Sequence, residues 1–527
     1  MPAFDHVTTE EDRVRRGRTG RRRAVWGAAA SVTLCALLAT AAGGFGTANA
    51  DPGSTAGGTA DFNGDGAPDV AVADPEATVS GQTEAGLIRV FYGDGKGTAE
   101  IHQDTPGVPG GSERGDRYGH ALAVTDWNED GYSDLVVGLP FESIGTEKEA
   151  GWVHVLYGAP GGLTTGPSSL ALAQGSGSGS IGSSSAEAGD WMGYSVAAGK
   201  TSAGEPYILI GVPGEDLNGT VNAGSSHYLR GSTNIAVHQD KPGVAGVVEE
   251  NDRFGYAVAG SPRHIAVGNP GEAIGDEEFS GGVQVLAHTI NADGLPDPLA
   301  GLDQDTPGVN GTAEAGDRFG AALAMVPYRP SGASSASHSL IAVGSPGEAL
   351  PSGGNTGRVV VLEATASGAV RQTADIHQNI SGVAGLAEDG DHFGQHLAAV
   401  NTAPGSVGTS GTLLLAAGIP GEDLAGTPDA GAVQVFPLLG APGDADAWVQ
   451  KGSRGLPGTY GKQEFVGTSL FATPDRLFVG LPYGAVADRG VHGLPWQNLT
   501  SGAEDPATSL TPGSEGLPTV AFGSVIR

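Results

Sequence analysis

Short apolar runs alternate with turn residues along nearly the whole chain. The runs at 121–124, 135–137 and 152–156 are rich in Val, Leu, Ile and aromatic residues, and Gly, Pro and Asp bound them. This pattern is typical of β-strands separated by tight turns. Outside the N-terminus no long stretch has the periodicity of an amphipathic helix, so the sequence predicts an all-β protein.

The apolar runs belong to an internal repeat. A dipeptide of an apolar residue and glycine returns seven times at intervals of 56 to 74 residues, and a proline that ends a Gly-X-Pro-like mark also occurs seven times. Each such unit exposes an apolar face that only its neighbours cover, so a repeat of this length predicts an array or a propeller. The dipeptides are Tyr118-Gly119, Met192-Gly193, Phe254-Gly255, Phe319-Gly320, Phe393-Gly394, Val466-Gly467 and Phe522-Gly523, and the prolines are Pro75, Pro140, Pro213, Pro270, Pro346, Pro420 and Pro482.

The two ends of the repeat complement each other. The first unit has Pro75 but no dipeptide before it, whereas residues 519–527 contain Phe522-Gly523 but no proline after it. Joining the ends makes one complete unit, so we expect the C-terminal strand to pair into the first blade. The sequence therefore predicts a seven-bladed β-propeller of four-stranded blades, closed without open sheet edges.

These motifs resemble those of FG-GAP repeat proteins, the family that includes the N-terminal propeller of integrin α subunits. The resemblance covers residues 59–527 and rests on the dipeptides, the proline marks and two Asp-rich loops. Met192 and Val466 replace the aromatic residue of the dipeptide, and Ala73 replaces the glycine of the first proline mark. The resemblance implies recognition of a partner through loops on one face of the propeller.

The two Asp-rich loops, at 61–69 and 126–134, both carry the pattern D-x-N-x-D-G-x-x-D. Oxygen ligands at alternate positions around a sharp glycine turn suit Ca²⁺. An EF-hand would need Glu at the twelfth position, where the chain has Val72 and Val137, and the flanking segments are strands. The loops instead resemble the calcium loops of FG-GAP blades, and blades three to seven do not repeat them.

We therefore expect two Ca²⁺ sites that stiffen the edges of the first two blades. Asn/Asp/Gly turns without metal are the alternative, but two copies of the full ligand pattern favour calcium. The expected ligands are Asp61, Asn63, Asp65, the Ala67 carbonyl and Asp69 in the first loop, and Asp126, Asn128, Asp130, the Tyr132 carbonyl and Asp134 in the second.

An acidic turn also recurs, in which Glu215, Glu272, Glu348 and Glu422 each follow Pro-Gly. Recurrence follows from the repeat itself, so the pattern favours a hydrogen-bonded turn over a binding surface for a cation or polar ligand. The tryptophans occupy differing places in the repeats, which argues against a lectin with aromatic residues at repeated loop positions. The Gly/Ser run at 175–180 predicts a flexible insertion.

The N-terminal 50 residues have the features of a secretory signal peptide. Seven arginines between positions 13 and 23 precede an apolar run at 24–42, and Ala48-Asn49-Ala50 fits a cleavage site. Polar residues interrupt the apolar run, so we expect no stable membrane insertion after cleavage. The Arg22-Arg23 pair is compatible with twin-arginine export as well as the general secretory route. The expected organisation is a signal peptide at 1–50, a short linker at 51–58 and the propeller at 59–527.

Composition agrees with a secreted protein that is extracellular or associated with the cell wall. The 90 glycines and 33 prolines suit many tight turns, and the single cysteine, Cys35, lies in the signal peptide, so the mature chain has no disulfide. The formal charge of -32 disfavours nucleic acid and anionic membranes as partners and favours cations.

We found no metalloprotease helix motif, nucleophile elbow, P-loop or dinucleotide fingerprint, so the sequence predicts that the protein is not an enzyme. The predicted function is a calcium-binding extracellular binding or adhesion module for a protein or polysaccharide partner. The alternatives are a lectin-like polysaccharide binder and an extracellular hydrolase or lyase on the propeller scaffold. The enzyme alternative would need a cluster of acids that breaks the repeat.

Overall fold

Seven antiparallel sheets account for the repeated apolar runs. The computed structural model describes residues 49–50, 59–485, 488–513 and 516–527, which all belong to the unit Phe45–Arg527. The predicted signal peptide and linker lie outside these residues, except for a two-residue strand, β1 (Asn49–Ala50), that pairs in parallel with a strand of the fifth blade. Each blade has four strands in sequence order, as the repeat predicts.

The strand bounds follow the repeat. Blade one contains β2 (Val70–Asp74), β3 (Leu87–Phe91), β4 (Thr98–Ile101) and the C-terminal β29 (Val525–Ile526); blade two contains β5 (Ala121–Thr125), β6 (Asp134–Leu139), β7 (Trp152–Leu156) and β8 (Leu170–Leu172). Blade three contains β9 (Val196–Lys200), β10 (Pro206–Val212), β11 (Ser225–Arg230) and β12 (Thr233–Val237); blade four contains β13 (Ala257–Gly260), β14 (His264–Asn269), β15 (Gly282–Ile290) and β16 (Pro296–Leu302).

The remaining three blades continue the same order. Blade five contains β17 (Ala322–Tyr328), β18 (His338–Ser345), β19 (Arg358–Ala364) and β20 (Val370–Ile376); blade six contains β21 (Leu397–Asn401), β22 (Leu413–Ile419), β23 (Ala432–Pro437) and β24 (Ala447–Val449). Blade seven contains β25 (Leu470–Ala472), β26 (Arg476–Gly480), β27 (Val491–Pro495) and β28 (Thr508–Leu510). Two one-turn helices, α1 (Gly179–Ser183) and α2 (Trp496–Thr500), lie between strands, as do two 3₁₀ turns at Gly93–Gly95 and Pro442–Asp444.

The C-terminal strand closes the propeller, which confirms the predicted closure. β29 pairs antiparallel with β2, with Val72 opposite Ile526 and Ala73 opposite Val525. The first strand of each blade contacts the first strand of the next, from β5 through β9, β13, β17, β21 and β25 to β29 and back to β5. Closure brings the inner strand of each blade against its neighbours around the axis, so the remaining sheet edges are short and protected.

The two glycines of the repeat meet at the contacts between blades. In six of the seven dipeptides the glycine lies against the glycine of a Gly-X-Pro mark in the preceding blade, so that an added Cβ at Gly211 would lie 1.9 Å from the Gly255 carbonyl oxygen; Gly119 instead lies against Ala73. Gly255 also has φ of 92°, a conformation that glycine adopts without strain. The apolar partner in every dipeptide is buried. The repeated dipeptides and Gly-X-Pro marks in the sequence therefore correspond to the packing contacts between neighbouring blades.

The hydrophobic core lies between the blades. One cluster joins Ala322, Val359 and Ile376 of blade five to Leu397 and Leu413 of blade six, and other clusters join further neighbouring pairs of blades in the same way. Strands β6, β10, β22 and most inner strands are buried along their whole length. Both faces of each blade are therefore covered by neighbours, which explains why the strands appear as continuous apolar runs in the sequence.

The Gly/Ser run is more ordered than the sequence predicts. Its second half begins α1, where Ser180 Oγ lies 2.7 Å from His227 Nδ1 and 2.9 Å from Asn234 Oδ1. Because these contacts anchor the segment on blade three, the prediction of a flexible insertion at 175–180 is wrong for residues 179–180. Within the described ranges, no helix has the length and apolar character needed to cross a membrane.

Candidate functional site: two aspartate loops, an aromatic face and the acids between blades

The two aspartate loops lie side by side at one edge of the first two blades. The first precedes β2 and the second connects β5 to β6, so strands flank them as predicted. The Ser133 amide donates to the Asp61 carbonyl at 2.9 Å, and the Ser133 hydroxyl accepts from the Asp61 amide at 3.0 Å. An added Cβ at Gly64 would lie 2.4 Å from the ring of Tyr132. The two loops therefore form one contiguous surface.

The first loop folds around its own carboxylates. The amides of Gly64 and Asp65 donate to Asp61 Oδ1 at 2.7 and 3.1 Å, and the Gly66 amide donates to Asp61 Oδ2 at 2.9 Å. Asn63 and Asp65 contact each other, with Asn63 Nδ2 3.2 Å from Asp65 Oδ2. The amide of Ala67 donates to Asp65 Oδ1 at 2.9 Å. The structure thus brings the first, third, fifth and seventh loop positions together.

The ninth position, Asp69, points inward and is almost fully buried. Its Oδ2 accepts from the Phe62 amide and its Oδ1 from the Gly93 amide, both at 2.8 Å. Burial raises the pKa of Asp69 to about 6; these donors oppose the shift, and the charges of Asp61 and Asp65 add to it. The three carboxylates are therefore close enough to repel one another.

The second loop repeats part of these contacts, but the amide donors found at Asp61 have no recorded counterpart at Asp126, whose Oδ1 is buried without a hydrogen-bond partner. Asn128, Asp130 and the Tyr132 amide are linked as their counterparts are, and burial raises the pKa of Asp134 to about 6. Lys200 of blade three, however, places its Nζ 2.9 Å from Asp126 Oδ2. A cation in this loop would share that ligand with an ammonium group. By contrast, the hydrogen bonds to the carboxylate of the equivalent Asp61 come from backbone amides.

The oxygen donors of both loops suit Ca²⁺, but hydrogen bonds within the loops also explain their geometry. In the described part of the chain, no group of three or more His, Cys, Asp or Glu side chains is placed to hold a metal ion. The two calcium sites therefore stay a prediction. An open polar cleft of about 480 Å³ lies beside the first loop and includes Asn63, Asp65 and Lys96 in its walls.

A second candidate site consists of residues that flank the dipeptides of blades two to four. The rings of His120, Tyr194 and Tyr256 follow one another at centroid distances of 5.0 and 4.9 Å. Phe141 and Trp191 extend this row, at 5.4 Å from His120 and 5.9 Å from Tyr194. These five residues, together with two arginines, are called the aromatic face below.

The two arginines stack on the outer rings. The guanidinium of Arg117 lies 5.4 Å from the ring centre of Phe141, and that of Arg253 lies 5.0 Å from Trp191. Trp191 also donates to Glu149 through its indole N–H at 3.1 Å. All members except Tyr194 keep part of their surface exposed. The face therefore offers planar apolar surface and positive charge together, at the start of the inner strands that surround the axis.

Sequence reasoning missed the aromatic face because it compared tryptophans with one another. Trp191 shares no repeat position with the other tryptophans, as expected, but it occupies the place directly before a dipeptide where Arg117 and Arg253 also stand. The place directly after the dipeptide holds His120, Tyr194 and Tyr256. Alignment of the seven dipeptides would have shown that aromatic and arginine residues share these two positions.

The repeated acidic turns form a third feature, the junction acids. The turn glutamate of five blades accepts a hydrogen bond from a buried glutamine, at distances between 2.5 and 3.1 Å, and is itself buried in four of them and partly buried at Glu215. An aspartate two residues before the dipeptide is buried beside it. The sets, in chain order, are Gln103, Asp116 and Glu142; Gln174, Asp190 and Glu215; Gln239, Asp252 and Glu272; Gln304, Asp317 and Glu348; and Gln378, Asp391 and Glu422. The expected hydrogen-bonded turn is therefore present.

Burial raises the pKa of these acids far above their usual range. The value is about 7 for Glu142, Glu215 and Glu272 and about 8 for Glu422. Their aspartate partners are raised as well, to about 8 for Asp190. Burial is the largest cause in each case, and repulsion within the pairs adds to it.

Two junctions contain a basic side chain. At the sixth copy of the motif, Lys451 replaces the glutamine, and its fully buried Nζ lies 2.9 Å from Glu464 and 3.0 Å from Asp488. At Glu348, Arg358 lies 3.5 Å from the carboxylate. A fixed cation thus neutralises the acids in some copies, while a proton or an exchangeable ion has to do so in the others.

Comparison with known proteins finds similarity to one repeat family over part of the chain. Residues 61–137 match the model of the FG-GAP-like repeat. The chain is 37% identical over 112 residues to a phosphatidylinositol-glycan-specific phospholipase D of Mus musculus, which covers 21% of this chain and 13% of the relative. It is 37% identical over 109 residues to integrin alpha-PS5 of Drosophila melanogaster, which covers 20% of this chain and 10% of the relative.

These matches span a small part of each relative. A phosphatidylinositol-glycan-specific phospholipase D of Dictyostelium discoideum matches over 205 residues at 27% identity, which is 37% of this chain and 21% of the relative. Among solved structures, the periplasmic gluconolactonase PpgL of Pseudomonas aeruginosa covers 87% of this chain and 98% of its own, at 10% identity and a TM-score of 0.42.

Proposed function

We propose that this chain, an FG-GAP repeat β-propeller protein, is a secreted binding or adhesion module that contacts an extracellular protein or polysaccharide through its aromatic face. The observation that carries the proposal is the partly exposed row of rings and stacked arginines on blades two to four. Exposed aromatic and arginine side chains contribute most of the binding energy at many interfaces. The similarity to integrin alpha-PS5 supports a role in binding, because integrin α subunits of this type have FG-GAP repeats.

The aspartate loops would support this role from the edge of the same blades. Bound Ca²⁺ would link Asp61, Asn63, Asp65 and Asp69 in the first loop and reduce the repulsion among their carboxylates. The second loop would hold its ion more weakly, since Lys200 already neutralises Asp126. We therefore assign calcium a structural role in the module and give the first loop the higher affinity.

The chemistry of the aromatic face also restricts the partner. Aromatic rings stack on the apolar faces of sugars and aromatic side chains, and the two arginines bind carboxylates or sulfates. Around this face the protein is strongly acidic, with a formal charge of -32 for the chain, which repels polyanions at long range. A neutral or lightly charged polysaccharide, or a protein with exposed aromatic residues, meets both conditions.

The phospholipase similarity raises the alternative of a hydrolase. That alternative called for a cluster of acids that breaks the repeat. The acids with the highest pKa values instead recur in five blades, which the repeat architecture explains without catalysis. The observations on the described residues therefore favour a binding module.

The proposal can be tested by capture on the immobilised mature chain, residues 51–527. Polysaccharides and surface proteins are applied in calcium and in chelator, and Trp191→Ala is compared with the control Leu386→Ala, whose side chain is 73% exposed outside the aromatic face. Loss of an anchor ring costs about 2 kcal/mol or more, so affinity should fall about 30-fold in Trp191→Ala and stay unchanged in the control. Equal retention by both variants, or no retention of any probe, would refute the proposal; the latter result would call for hydrolase assays.

A further inference from the structure

The two arginines of the aromatic face differ in how their charge is balanced. The Nη2 of Arg117 lies 2.8 Å from Glu84 Oε2, so this arginine already has a carboxylate partner. Among the residues that the structure describes, no acid pairs with Arg253, and its Nη1 is buried without a hydrogen-bond partner. An unpartnered buried N–H group is costly, so Arg253 points to a missing acceptor.

The described surroundings of Arg253 are neutral or cationic. The groups that act on its charge are Tyr194, Tyr256 and the cation Arg318, and burial lowers the pKa of Arg253. Arg318 occupies the equivalent place in the next blade, directly before its dipeptide, so two arginines follow one another around the axis. Positive potential is therefore concentrated at this point of a chain whose formal charge is -32.

The backbone and an aromatic ring hold Arg253 in place. Its amide donates to the Asn222 carbonyl at 3.1 Å, and its carbonyl accepts from the Tyr256 amide at 3.0 Å. Its guanidinium lies 5.0 Å from the ring centre of Trp191, and the side chain is half-buried, so a ligand can approach it from solvent. Stacking uses the flat face of a guanidinium, whereas its N–H donors lie in the plane. A carboxylate suits these donors, because two parallel hydrogen bonds can join it to one guanidinium.

The rings beside Arg253 form a recessed platform. Trp191 and Tyr194 stack with an interplanar angle of 26°, and the ring centre of Tyr256 lies 4.9 Å from that of Tyr194. Trp191 and Tyr256 are half-buried, and Tyr194 is buried. Rings that do not project cannot fill a pocket on a partner protein, but they can support the flat apolar face of a sugar. A stable protein interface would also need about 800 Å² from this chain, whereas one sugar residue needs only the platform and the guanidinium.

We propose that the aromatic face selects a uronic acid residue of a polysaccharide, whose carboxylate pairs with Arg253 while its ring packs against the neighbouring aromatic side chains. This assignment rests on the proposed function and narrows it to polysaccharides that carry carboxylates. A sparsely charged chain fits better than a densely sulfated one, because the acidic protein repels polyanions at long range.

The test titrates matched sugars into the mature chain, residues 51–527. Oligosaccharides that contain glucuronate, galacturonate or mannuronate are each compared with their carboxyl-reduced forms, which keep the ring and lose the charge. At least one acid should bind about tenfold or more tightly than its reduced form. Arg253→Gln should remove this preference, and Arg253→Lys, which keeps the charge without the planar donors, should retain part of it. Arg371→Gln is the control and should keep the full preference, because its side chain is 70% exposed on the outer strand of blade five.

Trp191→Ala separates this proposal from the proposed function. Equal binding of every acid and its reduced form, or a preference that persists in Arg253→Gln, would overturn the assignment of Arg253, while loss of binding in Trp191→Ala would still support the aromatic face. If no probe depends on Trp191, the proposed function fails as well. Circular dichroism and urea unfolding establish that each variant is folded.

A protein partner gives a different result. End-blocked dipeptides of phenylalanine with aspartate and of phenylalanine with asparagine present the same ring with and without a carboxylate. A preference for the aspartate dipeptide that depends on Arg253, without any preference among the sugars, would overturn the sugar assignment in favour of an acidic protein segment.

Discussion

Replacement of Glu215 by Gln should stabilise the protein at pH 8 and leave it nearly unchanged at pH 5. Glu215 is partly buried beside the buried Asp190 and accepts from Gln174 at 2.5 Å. Glutamine keeps the shape of the side chain and removes its charge. The groups that act on Glu215 are Gln174 and the acids Glu187 and Asp216, with no basic group among them, so ionisation of Glu215 is opposed by burial and by repulsion.

The direction of the pH dependence follows from proton binding. The pKa of Glu215 is raised from 4.5 to about 7, so the folded state binds this proton more tightly than the unfolded chain does. The resulting stability is fully present below pH 4.5 and is lost as the pH rises through 7. One pKa unit corresponds to about 1.4 kcal/mol, so the ionised carboxylate costs the folded state about 3 kcal/mol at pH 8.

Equilibrium urea unfolding between pH 5 and 8, in chelator so that metal binding does not contribute, measures this effect. Wild-type stability should decrease with pH, and Glu215→Gln should remove up to about 1.4 kcal/mol per pH unit of that slope near pH 6, between the unfolded and folded pKa values, and about half as much near pH 7. Glu250→Gln, at an exposed position, serves as the control and should keep the wild-type slope. A wild-type stability that is flat or rises from pH 5 to 8, or identical slopes in wild type and Glu215→Gln, would refute the reasoning.

Three further predictions concern the buried lysine, the closing strand and the first loop. Lys451→Met leaves the Glu464 and Asp488 carboxylates without their cation, so it should lower the free energy of unfolding in urea by about 3–5 kcal/mol. Lys451→Gln restores the glutamine found at this position in the other repeats and should cost less. Equal losses in the two variants would contradict this account. Deletion of residues 525–527 exposes the edge of β2 and removes the buried Val525 and Ile526. The free energy of unfolding should fall by about 3–5 kcal/mol in urea unfolding, and light scattering should detect aggregation. A stable monomer would argue against closure by this strand. For a Kd of about 10 μM, 1 mM Ca²⁺ should add about 2.7 kcal/mol through the first loop, a gain that Asp65→Ala abolishes; an undiminished gain would exclude Asp65 as a ligand.

The sequence was sufficient for the fold because the repeat encodes the contacts between blades. The glycines of the dipeptide and of the Gly-X-Pro mark touch across six of the seven interfaces, so their recurrence reports the number of blades directly. Closure could be predicted for the same reason, since Phe522-Gly523 lacks a proline and Pro75 lacks a dipeptide. The helix at Gly179–Ser183 could not, because it depends on contacts with His227 and Asn234 that lie more than 40 residues away.

The sites were less accessible from the sequence because they depend on burial and on which blades are neighbours. The loop pattern predicts ligands at Asp61 and Asp126, yet nothing near Asp126 in the sequence indicates the ion pair with Lys200, which lies 74 positions away. Similarly, the acidic turns were visible, but the aspartate and glutamine that complete each junction come from separate parts of the repeat. The glutamate, aspartate and glutamine of a junction come together only in the folded propeller, where the acidic turn of one blade packs against the connection from the preceding blade.

The arrangement of functional residues follows from how the propeller is held together. The dipeptide and its glycine contacts fix the backbone at seven equivalent places around the axis, so the residues on either side can vary without loss of the fold. In blades two to four these positions hold His120, Tyr194 and Tyr256, whereas the corresponding positions in blades five and six hold Ala321 and Gln395. A requirement of folding would affect all seven places alike. The restriction of aromatic residues to one sector is therefore not required by the fold, and under the proposed function it marks the sector that a partner would contact.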